Sequence, residues 1–373
     1  MHEADVRVLF AGGGTGGHLY PGLAIARAMQ KLEPISQPMF IGAARGIERT
    51  VLPTTGFPFE LLDLHPLYRS RPWENWKTLR GGAASWSRLR MIISQTPPRC
   101  VVGTGGYASG IALAYAAIHG IPYVLQEQNS YPGLTTRFFS RFARQVHNGF
   151  PEAAGHLKRG SRTQIFDSGN PIEPPPDPRP DRSVARGAWG FPLSGGRVML
   201  IYGGSQGSKA INDTVAEWVT RGLPPDLYVI WATGQLTHKD YANLETDRVR
   251  IRPYLSPVSD AYAATDFALS RGGAIATAEL CAWGIPPIVV PLPTAAADHQ
   301  TANARALAAA GAAEFIPQAE LGVETLDAAV SRLLGDSRLL ESRSAAALSR
   351  ARPHAAREIA ARILELVSTL PSS

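Results

Sequence analysis

Short apolar runs of strand character alternate with helix-length runs along nearly the whole chain, and after a proline-rich break the alternation starts again. In the first half, strands are expected over 6–11, 38–41, 100–102, 122–125 and 164–166, with helices over 23–29, 47–52, 111–119 and 135–144. In the second half, strands are expected over 198–202, 227–231, 249–252, 267–270 and 288–290, with helices over 210–219, 301–310 and 326–334. Such alternation demands parallel sheets covered by helices on both faces. At 373 residues the chain is long enough for two cores. The expectation is therefore an α/β protein of two doubly wound, Rossmann-like domains.

The break is PIEPPPDPRPDR, with six prolines between Pro171 and Pro180, a run that continues neither a helix nor a central strand. It divides the chain into an N-terminal domain over 1–170, a linker over 171–186 and a C-terminal domain over 187–352. A last helix over 354–366, within a tail over 353–373, is too late in the chain to be needed by the second core and is expected to pack back across the boundary.

Composition closes several routes. Apolar residues at 45% and charged residues at 18% describe a globular chain. Cys100 and Cys281 lie far apart, so a disulfide framework is not expected and a reducing compartment is. No secretory signal is read, because strand character begins at Val6 without a long apolar run. Residues 100–126 carry no Lys, Arg, Asp or Glu, a length sufficient to span a bilayer. However, Gly103, Gly105, Gly106, Gly110, Gly120 and Pro122 cut that run into strand, loop, helix and strand.

The charge is unevenly placed. Residues 1–170 carry a net +8 and residues 171–373 a net −2. The excess is densest at 69–99, where Trp73, Trp76, Arg80, Trp86 and Arg88 belong to a basic, aromatic stretch. Such a stretch suits an anionic membrane surface, where indoles settle at headgroup depth. A solvated helix with its tryptophans in the core fits the composition equally well. Nucleic acid is not expected, since no nucleic-acid-binding motif accompanies the patch.

The chemistry gathers at the glycine turns. Five glycines within residues 12–17 follow the first strand, and His18 stands where loop becomes helix. Bare amides and a helix N-terminus bind anionic oxygen. Gly12, Gly14 and Gly17 satisfy G-x-G-x-x-G, but the acid expected after the second strand is absent: Ile41 leads into Gly42, Ala43, Ala44 and Arg45. A second glycine turn at 203–207 opens the other half, and two such turns describe a cleft holding one ligand from both sides. In the second half the loops at 203–208, 271–274 and 293–300 fall at strand C-termini. Gly272 and Gly273 open a helix whose second turn carries Glu279, so its amides suit a diphosphate and its carboxylate a ribose. A solvated Glu279 beside a tight turn is the plain alternative. No metal or cofactor is expected: D-x-D is absent and the histidines show no ligand spacing. A leaving diphosphate would then rest on amides, hydroxyls such as that of Ser205, and helix dipoles.

GGGTGGH, GTGGYASG, EQNSYPG, GNP, GGSQGS, RGGAIATAE and DHQTANA occur in this order between about residues 6 and 315. Seven ordered motifs resemble the MurG family of peptidoglycan glycosyltransferases. The resemblance implies a GT-B type architecture, with an acceptor domain first and a UDP-GlcNAc domain second. It implies inverting, metal-independent transfer of GlcNAc from UDP-GlcNAc to the C4 hydroxyl of lipid I, giving lipid II. It also implies peripheral attachment at the cytoplasmic face of the bacterial inner membrane, beside other cell-wall synthesis proteins, and with it raises the membrane reading of the basic stretch.

Carried over residue by residue, the resemblance brings Thr15, Gly16, Gly17 and Asn129 to the donor from the N-terminal side. Ser205 would meet the diphosphate and the Leu255 backbone the uracil. Ala274, Ile275, Ala276, Thr277, Ala278 and Glu279 would hold diphosphate and ribose, with Gln300 at the sugar. Two positions depart from the family pattern: Glu173 stands where arginine is frequent, and Gly272 where serine is. His18 is the first choice of general base, because a helix N-terminus disfavours imidazolium. Glu127 is its competitor. Another sugar-nucleotide enzyme of this architecture, such as a UDP-GlcNAc 2-epimerase or a glycolipid synthase, is the nearest rival, and a non-catalytic nucleotide-binding protein the more distant one.

Overall fold

The computed structural model describes residues 6–64, 75–204 and 206–371, with side chains for all of these except 75–80. The chain divides into two compact units: Met1–Ile172 together with His354–Ser373, and Glu173–Pro353.

The first unit holds strands β1 (Arg7–Ala11), β2 (Gln37–Ala43), β3 (Phe59–Leu62), β4 (Cys100–Gly103), β5 (Tyr123–Glu127), β6 (Gln145–Asn148) and β7 (Gln164–Phe166). They form one sheet in the order β3-β2-β1-β4-β5-β6-β7. Every pairing is parallel. The second unit holds β8 (Arg197–Tyr202), β9 (Leu227–Ala232), β10 (Val249–Arg252), β11 (Phe267–Ser270), β12 (Pro287–Val289) and β13 (Glu314–Phe315), ordered β10-β9-β8-β11-β12-β13 and also parallel. In each unit the chain winds outward one way and then returns to the other side of its first strand. The winding reverses between β1 and β4, and again between β8 and β11, and ligands of open α/β sheets bind at such reversals.

Three strands escape the pattern of apolar runs, and each has a reason. β6 carries Gln145, His147 and Asn148, all buried. His147 stacks on Phe166 at 5.2 Å and bonds to Ser168 Oγ at 2.8 Å, and its burial pushes its pKa down to about 3, so the ring stays neutral. β3 and β13 are short edge strands. Two helices begin earlier than their apolar runs suggest, at Gly16 (Gly16–Leu32) and Gly106 (Gly106–Ile118), so glycines expected to form loops supply first helical turns instead. The proline-rich stretch is also shorter than 171–186. Asp181 caps the helix Arg182–Ala188 through the amides of Ser183 and Val184.

The last helix, Ala355–Ser368, packs on Gly16–Leu32. Ile359, Ile363, Leu366 and Val367 recur at helical spacing and join Leu19, Leu23 and Met29 in one apolar cluster. Arg99 then closes the helix end, donating to the carbonyls of Val367 and Leu370.

At the opposite end of the second unit's strands from its glycine turn, Asp266, just before β11, is 5% exposed and faces three guanidiniums. Arg182, Arg186 and Arg197 lie 2.9, 2.6 and 3.3 Å away, and the Val198 amide donates at 2.8 Å. Removing one partner of a buried ion pair leaves the other uncompensated. Asp266→Ala is expected to cost about 3–5 kcal/mol, since Arg186 stays buried without its carboxylate. Urea titration followed by tryptophan emission reads this directly, and an unchanged midpoint would show the cluster to be neutral for stability.

Candidate functional site

In the first unit, the turns after β1 and β4 meet. Gly12 and Thr104 touch so closely that a Cβ at Gly12 would fall 1.8 Å from Thr104 Oγ1, which donates to the His18 carbonyl at 2.7 Å. A Cβ at Gly106, whose φ is +74°, would fall 2.1 Å from the Gly13 carbonyl oxygen. Only glycine permits this approach. The His18 ring lies against Gly105, with Nδ1 2.9 Å from Thr15 Oγ1. In the tautomer where Nδ1 donates to Thr15, Nε2 carries the basic lone pair.

The amides of this loop are less available than the sequence implies. Gly14 N donates to Glu48 Oε1 at 2.7 Å, and Gly13 N to the Gly105 carbonyl at 3.4 Å. Glu48 is fully buried, and a Cβ at Gly13, Gly42 or Gly46 would collide with it. The first glycine loop is thus organised around an internal carboxylate, and anion binding through bare Gly13 and Gly14 amides does not fit it. In the sequence nothing marks Glu48 except the nearby Gly42 and Gly46.

Glu127 has a similar internal task. It is 3% exposed, with Oε1 accepting from the Asn129 amide at 3.0 Å and Oε2 from the Gly133 amide at 3.0 Å. Its carboxylate shapes the turn that presents Asn129, which weighs against its use as a base.

In the second unit a cavity of about 520 Å³ opens at the reversal between β8 and β11. It is lined by the glycine turn Gly203, Gly204 and Gly207, by Arg271, by Gly273 and Ala276, and by Gln300 and Gln318. Arg271 braces three loops: it donates to Ser208 Oγ at 2.6 Å and to the carbonyls of Val290 and Pro291. Burial lowers its pKa without discharging it, so a cation lines the cavity. The helix Ala274–Trp283 starts there, and its first-turn amides make a seat for an anion. Gly272 is sterically required: a Cβ would fall 2.5 Å from the Gln300 carbonyl oxygen.

Glu279 stands further along that helix, its Oε2 accepting from Tyr262 at 2.8 Å, with Tyr202 next in the chain of hydroxyls at 3.4 Å. Burial, with Glu173 adding repulsion, raises its pKa above the usual carboxylate range, while the Tyr262 bond opposes the shift.

Of the residues singled out by sequence, Ala276 and Gln300 line the cavity, while Leu255, Ile275, Ala278 and Glu279 do not. Ala274 and Thr277 are buried, and the Thr277 hydroxyl bonds back to the Gly273 carbonyl at 3.0 Å. Ser205 lies outside the described residues, as do Trp73 and the side chains of Trp76 and Arg80. Trp86 is half-buried and packs on Tyr115 at 5.2 Å, and Arg88 is paired with Glu60 at 3.1 Å. Trp86 thus packs as a partly buried ring against the core of the first unit. An exposed apolar stripe lies elsewhere, at Leu134, Phe138 and Phe142, beside the exposed Arg141. Among the described residues no group of three or more His, Cys, Asp or Glu is placed to hold a metal ion. No described helix is long and apolar enough to cross a membrane.

Residues 8–148 match the glycosyltransferase family 28 N-terminal domain, and residues 198–362 its C-terminal domain. A protein of Chlorobaculum parvum named UDP-N-acetylglucosamine–N-acetylmuramyl-(pentapeptide) pyrophosphoryl-undecaprenol N-acetylglucosamine transferase is 39% identical over 97% of this chain and 99% of its own. One of the same name from Chlorobium luteolum is 40% identical, again over 97% and 99%. Among solved structures, Acinetobacter baumannii MurG superposes with a TM-score of 0.75 at 28% identity, covering 96% of this chain and 99% of that one. A UDP-N-acetylglucosamine 2-epimerase reaches a TM-score of 0.63 at 14% identity, a likeness of fold alone.

Proposed function

This chain belongs to the MurG family of family 28 glycosyltransferases, and from that premise we infer that it moves GlcNAc from UDP-GlcNAc onto undecaprenyl-pyrophosphoryl-MurNAc-pentapeptide, lipid I, forming lipid II in peptidoglycan synthesis. The observation carrying this reading furthest is the cavity of the second unit. There a glycine turn, a helix N-terminus and the Arg271 cation adjoin one another at a sheet reversal, with Glu279 on that same helix.

The donor diphosphate would rest on the first-turn amides of Ala274–Trp283, with Arg271 balancing the charge that grows on it as the sugar leaves. Glu279 Oε1 would accept from the ribose while Tyr262 holds Oε2. His18 Nε2 would take the proton of the acceptor's C4 hydroxyl. That oxygen then bonds to the anomeric carbon as the bond from carbon to phosphate oxygen breaks, inverting the centre and releasing UDP. Glu127 acts by holding the turn that carries Asn129.

Transfer of radiolabel from UDP-GlcNAc to a short-chain lipid I analogue tests the reading. Turnover of UDP-GlcNAc alone, without any acceptor, would instead favour the 2-epimerase alternative.

The acceptor is a lipid, and the basic first half together with the stripe Leu134, Phe138 and Phe142 supports a peripheral seat on anionic lipid at the cytoplasmic face of the inner membrane. Phe138→Ser with Phe142→Ser is expected to lower sedimentation with phosphatidylglycerol vesicles by about tenfold, in keeping with the apolar area withdrawn from lipid. Wild-type binding should also weaken with salt. Equal binding by the double variant would move the membrane surface elsewhere.

A further inference from the structure

One side chain lining the donor cavity, that of Gln318, carries a buried polar atom without a partner among the described residues. Gln318 opens the short turn Gln318–Glu320 that follows β13, the edge strand beside β12. It lines the same 520 Å³ cavity as Leu292 and Gln300, which come from the segment after β12. Its Oε1 is buried and accepts no hydrogen bond from the described residues. Native interiors rarely leave such an oxygen unmatched, because desolvating it without a partner costs as much as a lost hydrogen bond. Gln318 thus brings an unmatched acceptor to the wall of a ligand cavity, where a small side-chain rotation would let a ligand complete the contact.

The chemistry of the partner follows from what an amide oxygen can do: it accepts, and so needs a proton donor. A diphosphate at neutral pH offers only acceptors and cannot satisfy it. Glu279, already matched to a ribose, does not line this cavity, and neither does Leu255. What remains of a sugar nucleotide is the sugar, which carries hydroxyl and acetamido protons. Gln300 differs in that its Oε1 is already matched within the protein, accepting from the Leu292 amide at 2.9 Å.

We propose that Gln318 is a specificity-determining residue of the donor site, its Oε1 accepting a hydrogen bond from an O–H or N–H of the transferred sugar. The proposal rests on the reading of this cavity as the UDP-GlcNAc site. It separates two kinds of recognition within the cavity: a charged part for the diphosphate, shared by any UDP compound, and a neutral carboxamide that reads the sugar. A site built to bond a sugar proton rejects an analogue lacking it, because its own acceptor is then left unpaired.

The test is Gln318→Leu, with Gln318→Met as a second variant of similar length should the first fold poorly. Calorimetric titration with UDP and with UDP-GlcNAc is run alongside KM and kcat for transfer. The expected result is about a tenfold rise in Kd and KM for UDP-GlcNAc, the size of one neutral hydrogen bond. UDP affinity stays within about twofold, since UDP has no sugar to be read. UDP-glucose identifies the proton: a tenfold loss there too assigns a hydroxyl, and equal handling by variant and wild type assigns the acetamido N–H. Equal weakening of UDP and UDP-GlcNAc would overturn the proposal in favour of a diphosphate contact, and no change in either would overturn it outright. Wild-type protein that binds UDP but not UDP-GlcNAc would defeat the functional reading itself, a result visible before any variant is made.

Discussion

His18→Ala is expected to lower kcat for lipid I glycosylation by about 10²-fold or more, the usual scale for loss of a positioned general base. Donor KM should stay within a few-fold, because no part of the cavity at 203–207 and 271–276 is altered. Glu127→Ala should behave differently. It strips the Asn129 and Gly133 amides of their buried acceptor, so melting temperature and activity fall together. If His18→Ala kept near-normal turnover while Glu127→Ala lost it by about 10²-fold at an unchanged melting temperature, the two roles would be exchanged.

Glu279→Gln should weaken UDP and UDP-GlcNAc alike, by about 10²-fold, because charge-assisted bonds to the ribose become neutral ones. The same change should stabilise the unliganded protein at neutral pH. Glu279 has a folded-state pKa raised by burial. Between its unfolded and folded values the native state therefore holds the extra proton, so its stabilising share is present at low pH and is lost as pH rises through that interval. Above the interval the buried charge is a standing cost, which glutamine removes. Donor binding has the opposite slope, since the ionised form is the one that accepts from both hydroxyls, and affinity declines once pH falls through the raised value. Melting curves and UDP titrations from pH 5 to 8 read both trends. A variant that is less stable and binds UDP normally would show that Glu279 is a structural residue.

These two outcomes hinge on residues that the sequence alone exposes, unlike Glu48 and Gln318. His18 and Glu279 are visible because each follows a glycine turn at the start of a helix, a local arrangement with few uses. Glu48 is not, since it lies in an unremarkable run and its importance arises only where β2 brings Gly42 and Gly46 against the first glycine loop. Gln318 is hidden for the same reason: nothing within its turn predicts that its carbonyl oxygen will be buried without a partner. Trp86 shows the converse. Its neighbours in sequence suggest a membrane-facing indole, but Tyr115 on another helix takes it into the edge of the core.

The sequence by itself determined the alternation of strand and helix, the two glycine turns, the break between halves and the ordered motifs that mark the family, because these depend on local conformation and on spacing along one chain. Tertiary structure decided which amides remain for a ligand and which carboxylates are spent within the protein. It also drew the last helix onto the first unit through Ile359, Ile363 and Arg99. Those outcomes depend on neighbours far apart in sequence, whose burial removes water as an alternative partner and so forces each polar atom to be matched within the protein or by what it binds.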